Sequence, residues 1–229
     1  MKLAYFLGPF CALALNATGA VVIQSVTTSW TGTVSVERAI SLGGGSDTAG
    51  QNGFSTDPTH FQAFGGHAQV GPDYADIGGD VSVTSSEGSV RARYAYSVTG
   101  QIEHPSGFAD NGTAQMNVSM IVDIAFVLDR PTEVGLSTTA AVGDLVQAAV
   151  FDPGGAFTYM NIIRVGNGSE ILPAGSYRAQ FLYIGQAIHY TSWGGLDLEG
   201  IGEFQLTVPE PGVLALSAFM LCRRSRRRS

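Results

Sequence analysis

The residues best equipped for chemistry are few and far apart. Asp73, Asp76 and Asp80 share the stretch GPDYADIGGD at residues 71–80. Carboxylates set among glycines are able to wrap Ca²⁺, which takes oxygen ligands in flexible loops. Their spacing does not match the EF-hand loop, and the competing reading is an acidic, solvated turn. These three aspartates stand as the Ca²⁺ candidates; no other metal or cofactor is expected. The histidines, His60, His67, His104 and His189, form no close pair of ligands. Trp30, Trp193, Tyr190 and Tyr74 could stack on sugar rings through their apolar faces. Tyr190 and Trp193, next to Gly194-Gly195, are the best placed of the four to sit on an exposed loop. Core packing at strand ends is the alternative for all of them.

Nucleophilic and phosphate chemistry leave no trace. There is no G-x-S-x-G elbow, no phosphate-cradling G-x-x-x-x-G-K-[ST] and no dinucleotide fingerprint. Carboxylate pairs for glycoside cleavage have no local signature, since such partners can lie far apart in a chain. The expectation is a protein that is not an enzyme.

Something must position these side chains, and the pattern of the chain points to strands. Alternation with period two recurs. Met116, Val118, Met120, Val122, Ile124, Phe126 and Leu128 share one face of a run. Val90, Ala92, Tyr94, Tyr96 and Val98 share another, Tyr177, Ala179, Phe181 and Tyr183 a third, and Phe204, Leu206 and Val208 a fourth. Asp152-Pro153-Gly154-Gly155 reads as a hairpin turn between 146–151 and 157–164. Gly166-Asn167-Gly168 and Pro173-Ala174-Gly175 are expected to close the next two connections. Residues 42–58, LGGGSDTAGQNGFSTDP, read as a long glycine-rich loop, too poor in apolar residues to pack as an element. Several short strands separated by turns predict an all-β fold, an antiparallel β-sandwich of jelly-roll-like type. A closed barrel is the second architecture, and too few alternating runs are present for a lipid-facing one.

The two ends have a different character. Residues 1–20 fit a secretory signal helix: Lys2, then an apolar run over 3–15, then Thr18-Gly19-Ala20 as small residues before a cut. At the other end, Pro209 and Pro211 fix φ and remove backbone donors. They push Val208 and Glu210 towards extended conformations. An uncharged, mostly apolar run over 212–222 follows, with Val213, Leu214, Leu216, Phe219, Met220 and Leu221 as its large side chains. It is shorter than the about 20 residues of a full helical span. Arg223, Arg224, Arg226, Arg227 and Arg228 close the chain. Such a basic cluster stays on the cytoplasmic side of a membrane and can snorkel to its surface.

This tail resembles the PEP-CTERM sorting domain of Gram-negative bacteria, and the resemblance covers about a tenth of the chain. It implies that Pro209, Glu210 and Pro211 are the motif recognised by an exosortase. It implies that 212–222 is a transient apolar helix in the inner membrane and that the arginines are its cytoplasmic stop. The apolar run is shorter than is usual for the family. Leu172-Pro173-Ala174-Gly175-Ser176-Tyr177 is similar to a segment that opens a late strand in such proteins. The implied partners are the Sec machinery and an exosortase during export, and exopolysaccharide afterwards.

The expected organisation is therefore a signal peptide at 1–20, a β-sandwich at 21–207 and a sorting signal at 208–229. The whole chain has 12 basic and 19 acidic residues. Without Lys2, the five tail arginines and Glu210, the body keeps six basic and eighteen acidic residues, a net charge of −12. Such a body should avoid nucleic acid, whose phosphates require lysine and arginine. Cys11 and Cys222 both lie in the end segments, so the body has no cysteine and its core must hold the fold without disulfides. The functional expectation is an exported, exosortase-processed, non-catalytic protein of the cell surface or extracellular matrix, associated with exopolysaccharide or biofilm. A carbohydrate-binding or carbohydrate-active secreted sandwich is the alternative.

Overall fold

The computed structural model describes residues 21–39, 44–103, 111–185, 189–190 and 194–208. The expected signal helix, Pro209–Pro211, the apolar run and the arginine cluster all lie outside the described residues. Every regular element described is a strand. In chain order they are β1 (Val21–Ala39), β2 (Gly45–Ser55), β3 (His60–Val70), β4 (Asp73–Ser86), β5 (Ser89–Ile102), β6 (Asn111–Leu128) and β7 (Thr132–Ala140). Then follow β8 (Leu145–Phe151), β9 (Thr158–Ile163), β10 (Gly166–Leu172), β11 (Gly175–Ile184), β12 (His189–Tyr190) and β13 (Gly194–Thr207).

They form two antiparallel sheets. One has the order β2-β1-β6-β11-β8-β9, with β12 also pairing β6. The other has the order β10-β7-β13-β5-β4-β3. The core is what lies between them, as in a β-sandwich. The four alternating runs of the sequence supply much of it. All seven residues from Met116 to Leu128 on the predicted face are buried, as are the five from Val90 to Val98. So are Tyr177, Ala179, Phe181, Tyr183, Phe204, Leu206 and Val208.

Three expectations needed correction. First, the longest strands are not short: β1 has 19 residues and β6 has 18. A strand with one face on the core needs only every second residue apolar, so it runs on through polar stretches. Second, residues 45–55 of the supposed glycine-rich loop are strand β2. A strand at the sheet edge needs a backbone partner more than an apolar face, and β1 pairs with it from Arg38↔Gly45 to Thr28↔Ser55. Its glycines are what allow the fit. Gly53 lies opposite Trp30, and a Cβ there would fall 2.1 Å from the indole Cε2. Gly50 has φ +125, in a region that L side chains rarely adopt. Third, Gly166-Asn167-Gly168 belongs to β10, and the connection turns instead at Arg164 and Val165, with Arg164 at φ 73.

The other two turns form where the sequence puts them. In the first, Asp152 Oδ1 accepts from Phe157 N at 2.7 Å, and Gly155 N donates to Asp152 O at 3.0 Å. In the second, Leu172 ends β10 and Gly175 starts β11, with Tyr177 Oη donating to Pro173 O at 2.7 Å.

Candidate functional site

The Ca²⁺ candidates sit on β4, where side chains alternate between faces. Asp73 points into the sandwich and is fully buried. Arg38 Nη1 donates to its Oδ1 at 2.8 Å, and Glu103 N donates to the same oxygen at 2.8 Å. Its Oδ2 is buried with no hydrogen-bond partner among the described residues. This aspartate ties the end of β1, in one sheet, to the start of β4 and the end of β5 in the other. Asp76 lies on the outer face, 2.7 Å from His67 Nδ1. Asp80 receives Arg93 Nη1 at 2.6 Å. The three carboxylates thus take three different partners and do not converge. No group of three or more His, Cys, Asp or Glu placed to hold a metal ion occurs among the described residues.

His67 is exposed. The hydrogen bond to Asp76 is the main cause that raises its pKa above 6.5, with Gln69 adding to it. Arg91, Arg93, Asp80 and Glu203 continue a charged ladder over the outer face of the second sheet, with Arg91 Nη2 2.9 Å from Glu203 Oε2.

Among the aromatic candidates, Trp193 lies outside the described residues, and Tyr190 is placed only by its backbone, opposite Ala114 in β6. Tyr74 is half-buried on the outer face, its ring 6.1 Å from that of His67. Trp30 is 6% exposed and stacks on Phe64, with ring centroids 5.3 Å apart. From there a file of rings crosses the core. Phe64 meets Tyr94 at 5.5 Å, and Tyr94 meets Tyr183 at 5.4 Å. At the far end, Tyr183 and Tyr96 both donate to the carboxylate of Asp144, Tyr96 at 3.1 Å. Burial pushes the Tyr94 and Tyr183 hydroxyls well above the usual phenol range. At ordinary pH both are therefore neutral donors.

The near end of that file opens to the surface. Strands β2 and β3 are consecutive, but each is the edge of a different sheet, so the two arms of this bend face each other across the side of the sandwich. They touch at one end: Gln69 N donates to Asp47 Oδ2 at 2.9 Å, and a Cβ on Gly66 would meet Gly50 N at 2.3 Å. Towards the connecting turn lies a notch of about 360 Å³, lined by Trp30, Gln51, Asn52, Gly53, Phe54, Ser55, His60, Phe61 and Gln62. Phe54 is 71% exposed and Phe61 68%. The lining carries three amide side chains, a hydroxyl and an imidazole, and no Asp, Glu, Lys or Arg.

The turn below the notch is braced. Asp57 N donates to Ser55 Oγ at 3.1 Å, and Thr59 N donates to Asp57 Oδ1 at 2.9 Å. His60 Nδ1 lies 3.0 Å from Asp57 O, which makes it the protonated nitrogen of the neutral ring. Nε2 then carries the free lone pair, and it is buried without a partner among the described residues. Reading residues 42–58 as a loop hid this site. The signal that could have found it is one phenylalanine on either side of the Ser55–Thr59 turn, each among amides.

No protein-family model and no curated protein matches this chain. Among solved structures, TmCBM61 in complex with β-1,4-galactotriose aligns over 48% of this chain and 82% of its own, at 12% identity and TM-score 0.24. The infectious bursal disease virus VP2 subviral particle aligns over 85% of this chain and 58% of its own, at 10% identity and TM-score 0.20. Likeness this slight supports no conclusion about this chain.

Proposed function

We propose that this chain is an exported, non-catalytic protein of the cell surface or extracellular matrix, delivered by the Sec route and trimmed at its C-terminus by an exosortase. The observation that carries the reading is the packing of the residues just before the tail motif. Strand β13 ends at Thr207, and Val208, 2% exposed, is the last residue of the described core. Its N–H donates to Gly88 O at 2.7 Å. The tail motif begins at the next residue, Pro209. A cut beyond Val208 would leave this packing whole.

The test is a pair of variants in a host that has an exosortase. The parent should be released with a shortened C-terminus. Pro209→Ala/Pro211→Ala should stay membrane-associated at full length. Release of that variant with the parent's trimmed C-terminus would overturn the proposal.

A carbohydrate-binding use of the sandwich is the second reading. What favours it is the notch between β2 and β3, where exposed aromatic rings stand beside amides that no charged group accompanies.

A further inference from the structure

We infer that the notch between β2 and β3 is a subsite for an uncharged glycan, an inference that rests on the carbohydrate-binding reading and gives it a place and a ligand class. Pyranose rings offer two kinds of surface. Their C–H faces are apolar and suit the faces of aromatic rings. Their rims carry hydroxyls that both donate and accept, and a side-chain amide provides both functions in one plane. The notch supplies both in one place. Phe54 and Phe61 stand out at 71% and 68% exposure, on the outer sides of the two facing edge strands. Between them Gln51, Gln62, Ser55 and His60 line the opening, with the edge of Trp30 behind Gly53. Single exposed phenylalanines are ordinary on protein surfaces. Two that bracket a cavity lined with amides are a different observation.

Two further features point to a ligand. The buried Nε2 of His60 has no hydrogen-bond partner among the described residues. A buried acceptor left unpaired is costly, and a hydroxyl entering the notch would satisfy it. The cavity of about 360 Å³ also falls within the range of small-ligand sites, about 300–1,000 Å³.

The charge of the ligand follows from the lining. No cation lines the notch to meet a uronate or sulfate. The nearby Asp57 carboxylate is engaged by the backbone of Thr59. The body as a whole carries a net charge of −12, which repels anionic polymers. A peptide strand is the less suitable occupant, because the free edges of β2 and β3 are turned towards each other.

Native affinity electrophoresis of the exported protein tests this. The gels contain one polysaccharide each: β-glucan, galactan, mannan or starch as neutral probes, alginate or hyaluronan as charged ones. At least one neutral gel should retard the parent. Phe61→Ala and Gln62→Ala should each weaken that binding about tenfold, the scale of one lost ring contact or hydrogen bond. Phe61→Tyr should keep it. Phe61 is exposed, so thermal unfolding should show Phe61→Ala folded as the parent is. Retardation by charged gels alone would overturn the ligand class and leave carbohydrate binding standing. Neutral binding lost in Trp193→Ala but unchanged in the notch variants would overturn the location. Retardation in no gel would remove both the inference and the carbohydrate-binding reading.

Discussion

The buried tie between Arg38 and Asp73 makes a sharp prediction about what holds the two sheets together at one end. Consider Arg38→Met, which keeps the apolar stem and removes the charge. Asp73 is fully buried, and only 14% of the Arg38 side chain is exposed. After the substitution, the carboxylate keeps one donor among the described residues, the N–H of Glu103, and Oδ2 has none there. Breaking a buried pair by removing one member costs about 3–5 kcal/mol, because an uncompensated charge remains. The surviving backbone donor puts the expected value at the lower end, about 3 kcal/mol. Arg91→Met is the control. The Arg91–Glu203 pair has similar geometry at 2.9 Å, but its arginine is 58% exposed. Exposed pairs contribute at most about 1 kcal/mol. Urea denaturation at constant m-value reads both. The double variant Arg38→Met/Asp73→Asn leaves no charge behind and should recover at least half of the loss. An Arg38→Met cost no larger than that of Arg91→Met would refute the reasoning.

Other consequences are as direct. Gly53→Ala would place a Cβ 2.1 Å from Trp30, and overpacking of that kind costs about 1–3 kcal/mol. In a Trp193→Phe background, indole emission should shift to the red as Trp30 is displaced, and an unchanged spectrum and midpoint would contradict the packing described. Tyr183→Phe removes a buried hydroxyl from the Asp144 carboxylate, for an expected loss of about 1.5–3 kcal/mol. Tyr96→Phe, whose bond is 3.1 Å, should cost less, and a reversed order would count against the assignment. His67 should titrate above 6.5 by NMR and return towards that value in Asp76→Asn. Because the folded pKa is the raised one, the pair's stabilisation is full below pH about 6.5 and fades as pH rises through the folded pKa. No change in the His67 titration in Asp76→Asn would contradict the contact.

How much of this was legible beforehand depended on whether a residue's role was written in its own neighbourhood. The core faces of β5, β6, β11 and β13 were, because strict alternation of Val, Ile, Phe and Tyr needs no knowledge of partners. Strand β2 was not. Its residues are exposed or half-buried throughout, and it exists because β1 offers a backbone edge and Trp30 needs a glycine opposite. Strand β1 was obscured too, since Thr28 and Gly32 interrupt its inward apolar set. The notch inherits that blindness, being built from two strands that meet only in the fold. The aspartates of β4 illustrate the opposite failure. Close in sequence, they are divided by the strand pleat, Asp73 inward and Asp76 and Asp80 outward, and each takes a different partner. The pairing of Asp144 with two tyrosines, one 48 and the other 39 residues away, had no local sign at all.

The central proposal is that the exported protein is trimmed just beyond Val208, the packed residue that precedes Pro209. Intact-mass analysis of the protein recovered outside the cell tests it most directly. The account predicts a chain that starts at Val21 and stops between Pro209 and Gly212. A mass that retains Arg223 to Arg228 would contradict it.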